Sequence, residues 1–426
     1  MRSSRRDDGI HLPFGSDRAT LIDRPQRDGS SFFDIDQAIN CRATFVGPSR
    51  TIGAGHLAIA GPEKGSIDPS SDHVLTFNGS RTITVPAGAP VLSDPVDLEV
   101  RPLTTLAISL YVTRDTGAAV IHPLANQTTY LSQSGDRSGA TTIPDAITVT
   151  ERYFLTRIEV SSSNDAGTIV ALGDSITDGR GSTLDANQRW PDRLAERLHE
   201  LGLSLGVVNA GIAGNRLMHD LPEMICGPSS LSRFDRDVLS VPGAKFVVVL
   251  QGGTDIEHPS LNNLPEQAVS ADQIVGGLKQ LIARAHARYL KIFGATLPPS
   301  EGEAFHPEEG EAKRRAVNEW IRTSKAFDGI IDFEAAVRDS DHPSRIRPDY
   351  DSGDHGHLND TGYRAIDTGY RANGGFDRSE VVCESVARGC ANTRQPVRPA
   401  RRFVSTIDGF SPKAERTLWK TKGQID

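Results

Sequence analysis

The sequence predicts an α/β protein: a three-layer, doubly wound parallel sheet, preceded by an antiparallel β-sandwich or jelly roll. Three observations carry this. Residues 41–160 hold short runs rich in Val, Ile, Thr and Tyr, separated by clusters of Gly, Pro, Asp and Ser, without a long helical period. Residues 166–372 instead alternate apolar strand candidates with amphipathic helices, the pattern of a parallel sheet covered on both faces. Finally, polar, Gly-rich segments follow four of these strands at the same end of the expected sheet.

In the first region the expected strands are 51–60, 74–77, 82–85, 106–112, 128–131 and 154–160. In the second they are 168–173, 205–211, 245–253, 291–298 and 329–333. The helices between them are signalled locally. Pro191 suits a first helical turn, Leu194, Leu198 and Leu201 form one stripe, and Gly202 can end the helix. Ser270 and Gln273 make a capping box ahead of Ile274, Leu278, Leu281 and Ile282. Ala316, Val317, Trp320 and Ile321 mark a third helix. Residues 1–40 read as an irregular, polar lead-in. Residues 374–426 read as a basic, poorly ordered extension: ten Lys or Arg stand against six Asp or Glu, a net of +4, so the remainder carries −12. The repeat DTGYRAI–DTGYRAN before it is too short for a structural repeat and reads as one helix extended by two turns.

Composition narrows the class without naming an activity. The 426 residues suit two or three domains at roughly 100–200 residues each. A net charge of −8 argues against a nucleic-acid partner, and no apolar run is long enough for a membrane span. Cys41, Cys226, Cys383 and Cys390 are too few for a disulfide framework, and none forms a C-x-x-C pair. The first residues, MRSSRRDDGIHLPFG, carry basic groups without an apolar stretch, so no secretory signal is expected from them. Asn78-Gly79-Ser80 and Asn126-Gln127-Thr128 are glycosylation tripeptides, which leaves localisation open.

Ligands of open parallel sheets bind beyond the carboxyl ends of the strands. There the sequence places Gly173–Gly179, Asn209–Asn215, Gly252–Asp255 and Asp354–His357. Ser175, between a strand and a helix, can present a hydroxyl and a backbone N–H together. A serine nucleophile needs a base. Asp354 and His357, three residues apart, can lie on one side of a turn, the carboxylate holding one ring nitrogen while the other faces Ser175. Backbone N–H groups of Ser175 and Gly211 can serve a developing oxyanion. The Gly-x-Ser-x-Gly elbow of α/β-hydrolases is absent.

These blocks, taken together, resemble the GDSL-type or SGNH hydrolases, of flavodoxin-like fold. ALGDSITDG is similar to the first block, VNAGIAGNRL to the second, LQGGTDI to the third and DSGDHGHLNDTGY to the fifth. The stretches 227–239, 283–288, 293–299 and 316–333 resemble a bacterial and fungal branch of secreted esterases and lipases, and 41–160 resembles its N-terminal sandwich. The resemblance implies a serine esterase acting on acyl or acetyl esters, with small-molecule or polysaccharide-linked substrates and no cofactor or metal. Ser175, His357 and Asp354 would be its triad; Ser175, Gly211 and the residue at 254 would form its oxyanion hole. That last position departs from the family's pattern: Gly-x-Asn-Asp is here Gly252-Gly253-Thr254-Asp255, and threonine offers a single, shorter-armed donor. A slowed esterase is therefore expected.

Two alternatives stand beside it. One is a binding module or pseudoenzyme. The other is a metal-dependent hydrolase using Asp354, His355, His357 and Asp360. Among neighbouring groups, Asp174 is expected to brace its loop, Asp351 and Asp360 to cap turns, and Trp190 to pack a helix; Asp178 and Arg180 are candidates to line the mouth, and Asn215 is a candidate to bond across loops.

Overall fold

The computed structural model describes residues 49–113, 121–132, 135–161, 166–220, 226–303 and 309–368, with the strands Arg18–Ile22 and Ala38–Thr44. The expected C-terminal extension, 374–426, lies outside the described residues.

Strands up to residue 160 are antiparallel. A seven-stranded sheet runs in the order 147–149, 129–131, 18–22, 106–112, 50–59, 73–74, with 83–85 also on 50–59. A four-stranded sheet joins 155–160, 38–44, 90–92 and 96–97. Side chains of both sheets share one apolar cluster: Ile52, Leu57, Val85, Ile108, Leu110 and Val112 from the larger, with Val96 of the smaller and Val91, Leu155 and Ile158 partly buried against them. The stretch expected to be an irregular lead-in thus supplies a strand, Arg18–Ile22, between 106–112 and 129–131. Five residues without clear alternation give no local signal. Pairing across roughly ninety positions makes the strand, an outcome set by context more than by intrinsic preference.

The second part is a five-stranded parallel sheet: β1 (Gly167–Gly173), β2 (Leu205–Gly211), β3 (Ala244–Leu250), β4 (Lys291–Ala295) and β5 (Gly329–Ile331), in the order β2-β1-β3-β4-β5. β1, β3 and β4 are apolar almost throughout, as strands covered on both faces must be. The helices are α1 (Ser175–Asp178), α2 (Trp190–Glu200), α3 (Ser230–Phe234), α4 (Gly253–Leu261), α5 (Ala271–His286), α6 (Gly310–Thr323), α7 (Phe333–Val337) and α8 (Asp360–Thr368). α2 packs with α8 and α8 with α7; α5 packs with α3 and α6. The chain winds from β1 outward to β2, then back across to β3 and onward. Right-handed crossovers then place α2 on one face and α3, α5 and α6 on the other.

Local chemistry explains the elements. α5 begins at Ser270, whose side chain accepts from Gln273 N, and Gln273 returns a bond to Ser270 N. α2 carries Trp190, Leu194 and Leu198 inward, all fully buried, and Trp190 meets Phe333 edge-on at 5.5 Å. Leu201 departs from the expected stripe. It caps the C-terminus of α2 and is 54% exposed. α4 has no clear sequence signal, because it opens on two glycines and contains Pro259.

Pairing in register brings Gly173 level with Gly211 and Leu250. The loops that follow β1, β2 and β3 therefore leave the sheet at one height. This is where a change of winding direction opens a crevice.

The two ends of the α2 stripe should respond differently to truncation. Leu198→Ala, in the core, should cost about 2–5 kcal/mol. Leu201→Ala should cost less than about 0.5 kcal/mol. Urea unfolding of both variants measures this; equal losses would contradict the burial pattern.

Candidate active site

The turn after β1 sets Ser175 at the first position of α1. Asp174 caps that helix, its carboxylate accepting from Ile176 N at 3.1 Å. Gly179 ends it with φ 104°, and a Cβ there would stand 2.1 Å from Arg189 Cγ. The helix that carries Ser175 is thus a single turn, fixed at both ends.

His357 arrives from the loop ahead of α8, 182 residues later in the chain. Asp354 shapes that loop: its Oδ1 accepts from His357 N at 2.9 Å and Gly356 N at 3.2 Å, and from Ser352 Oγ at 3.0 Å. Its Oδ2 faces His357 Nδ1 at 2.7 Å, and His357 Nε2 lies 2.7 Å from Ser175 Oγ. Hydrogen bonding to His357, side chain first, holds the Asp354 carboxyl well below the usual carboxylate range. An ionised carboxylate accepts only, so it selects the tautomer with a proton on Nδ1 and leaves Nε2 free to accept from the serine. Arg180 Nε stands 3.8 Å from Asp354 Oδ2 on the exposed side.

The expected oxyanion donors are placed less simply. Gly211 N already donates to Asn209 Oδ1 at 2.9 Å. The Thr254 hydroxyl donates to the Asn215 carbonyl at 2.6 Å and has Asp174 Oδ2 at 3.3 Å. One hydroxyl has one proton, and here it is committed to Asn215. Among the described residues, the backbone N–H groups of Ser175 and Gly214 have no acceptor. Gly214 lies three residues beyond Gly211 at φ 74°, in a tight turn between Ala213 and Asn215. The sequence signal for it was present, since the block carries two glycines, but spacing alone did not separate them.

The remaining predicted residues divide their tasks. Asn215 is fully buried; its amide donates to the Cys226 and Pro228 carbonyls, and its oxygen accepts from Ser230 Oγ and Arg233 Nε. His355 turns away to Asp351 at 2.6 Å, and Asp360 accepts from Thr183 N and Oγ1. Of the four residues of the metal alternative, Asp354 and His357 meet while His355 and Asp360 face other partners, and no cluster of three metal-ligating side chains occurs among the described residues. Asp178 does not line the mouth. It is buried, with His122 Nε2 at 2.6 Å and Ala213 N at 2.8 Å.

Sequence reasoning missed three groups. Arg233, 2% exposed, donates to the Gly173 and Ala210 carbonyls and so ties the ends of β1 and β2 together. Glu257 and Glu303 share with Ser175, His357, Thr254 and Leu297 a cavity of about 40 Å³. Burial pushes the Glu257 carboxyl well above its usual range, and the Glu303 and Asp174 carboxyls add to this. No spacing rule links Glu257, on α4, to Glu303, on a distant loop.

The doubly wound sheet thus carries a serine, a histidine and an aspartate in line beyond its strand ends. Residues 171–365 match the GDSL-like Lipase/Acylhydrolase family. The protein is thus a carboxylic ester hydrolase. Its solved structural neighbours include a lipolytic protein of the G-D-S-L family from Desulfitobacterium hafniense: 19% identity, 47% of this chain and 94% of that one, TM-score 0.35. The M. smegmatis aryl esterase gives 18%, 47%, 94% and 0.37. An acetyl xylan esterase gives 21%, 47%, 95% and 0.36. No curated protein sequence matches the chain.

Asp174 generates a pH prediction. Burial, the largest influence, raises its carboxyl from 3.8 to about 6. The folded protein then holds this proton where the unfolded chain has released it, so this group's contribution to stability falls as pH rises between those values. Asp174→Asn removes the titration. Thermal melts across pH 4 to 7 should show the wild type losing stability relative to the variant as pH increases. A pH-independent difference would contradict the raised value.

Proposed function

We propose that Ser175 is the nucleophile of a carboxylic ester hydrolase, with His357 as its base and Asp354 as the group that orients and charges the base. The single observation that carries this is the unbroken line of two 2.7 Å contacts, from Asp354 through His357 to Ser175 Oγ.

In this reading Ser175 Oγ attacks the ester carbonyl carbon while His357 Nε2 takes its proton. The carbonyl π pair moves onto oxygen, facing the N–H groups of Ser175 and Gly214. Collapse breaks the carbon–alkoxide bond, and His357 returns the proton to the leaving alcohol. An acyl-Ser175 ester remains. Water then attacks it with His357 again as base, and release of the acid restores Ser175. Each step balances without a cofactor.

The substrate reading follows from the cavity. A single water needs roughly 10–15 Å³ of such space, so about 40 Å³ beside Ser175 suits a short acyl group, acetyl above all. Glu257, Glu303 and Ser300, which also line the cavity, offer polar partners to a hydroxylated alcohol, which favours carbohydrate esters as the natural class. The commitment of the Thr254 hydroxyl to Asn215 supports a slow enzyme.

A fluorophosphonate probe tests the nucleophile. The full chain should label once, at Ser175, and Ser175→Ala should not label. A folded wild type that stays unlabelled would favour the pseudoenzyme. Thr254 tests the oxyanion hole separately. Asparagine carries two amide N–H donors, one for the Asn215 carbonyl and one to spare. Thr254→Asn should therefore raise kcat on an acetyl ester by about tenfold or more, up to the 10²–10³ that a single donor supplies. An unchanged rate removes the argument.

A further inference from the structure

We infer that the β-rich part of the chain supplies a positioning residue to the active site: His122, acting through Asp178 on the loop that carries the Gly214 N–H. This rests on the reading of Ser175 as nucleophile and Gly214 as oxyanion donor.

Asp178 lies one helical turn beyond Ser175, at the end of α1, and its side chain is 3% exposed. Its two oxygens face opposite parts of the molecule. Oδ2 accepts from Ala213 N at 2.8 Å, and Ala213 directly precedes Gly214. Oδ1 meets His122 Nε2 at 2.6 Å, and His122 belongs to the short strand Ile121–His122 of the β-rich part. A carboxylate can only accept, so the imidazole donates, with its proton on Nε2. Both oxygens held, the carboxylate cannot rotate, and the direction of its bond to Ala213 is fixed.

The adjoining chain reinforces the contact. Asn126 Nδ2 donates to the Gly179 carbonyl at 2.5 Å and to Ser182 Oγ at 2.8 Å, immediately after α1. Thr128 Oγ1 donates to Asp185 Oδ2 at 2.7 Å farther along the same seam. Among the described residues of this seam, only His122 reaches the carboxylate that also holds the oxyanion loop. Without it, a buried oxygen loses its donor, and such a group is costly enough for the carboxylate to turn toward another partner. Arg233 is within electrostatic reach. Turning would release Ala213 N–H, and with it the aim of Gly214.

The account predicts a loss in the transition state and little loss in substrate binding. In the full chain, His122→Ala should lower kcat by about tenfold or more, with KM within about twofold of wild type. His122→Gln, which keeps a side-chain N–H donor, should recover most of that loss. Thr128→Val cuts the seam without touching Asp178 and should leave kcat near wild type. Amide hydrogen exchange gives a readout independent of turnover: peptides covering 209–215 should exchange faster in His122→Ala and not in Thr128→Val. Unchanged exchange there overturns the inference, as does an equal loss of kcat in Thr128→Val or faster exchange with unchanged kcat. If wild type shows no Ser175-dependent hydrolysis, the nucleophile assignment fails by itself, and the exchange result still decides whether His122 holds the loop.

Discussion

Everything at the site depends on one contact that spans 182 positions of sequence, the 2.7 Å approach of His357 Nε2 to Ser175 Oγ. Two independent scaffolds must agree for it to form. The parallel sheet fixes Ser175, because β1 is buried between β2 and β3 and ends level with them. The packing of α8 against α2 and α7 fixes the loop that carries His357. Tyr363, fully buried on α8, also donates to the Arg180 carbonyl at 2.6 Å, joining the two scaffolds close to the contact.

Buried polar groups then hold the loops between. Arg233 bonds the carbonyls at the ends of β1 and β2, Asn215 bridges its own loop to Cys226 and Pro228, and Asp255 accepts from Leu217 N and Met218 N. Each is almost wholly out of water, so each must be satisfied, and each draws part of its partners from loop backbone groups. The consequence is a rigid set of turns around Ser175. The same economy explains Thr254: in this network its hydroxyl is a structural donor to Asn215.

Much of this was legible in the sequence. Strands of the parallel sheet carry dense apolar runs, and the capping box at Ser270 is a local signal, so both could be read directly. Ser175, Asp354 and His357 were legible because motif spacing encodes local turns: the Asp354 carboxylate bonds the backbone three residues on and positions His357 by that bond. What was not legible depends on distant partners. Arg18–Ile22 becomes a strand only through its neighbours. Gly211 and Gly214 differ by which N–H already has an acceptor, and that acceptor, for Gly211, is the side chain of Asn209. His122 and Asp178 are 56 positions apart, and no pattern along the chain joins them.

The proposed reaction passes through an acyl group on Ser175. Rapid quenching of the full-length protein with an activated acetyl ester, followed by peptide mass mapping, tests it most directly. The account predicts one acetyl group on the peptide containing Ser175, formed within the first turnover and lost on longer incubation. Steady hydrolysis with acetyl on another residue, or with no acyl intermediate at Ser175 under any quench, would contradict it.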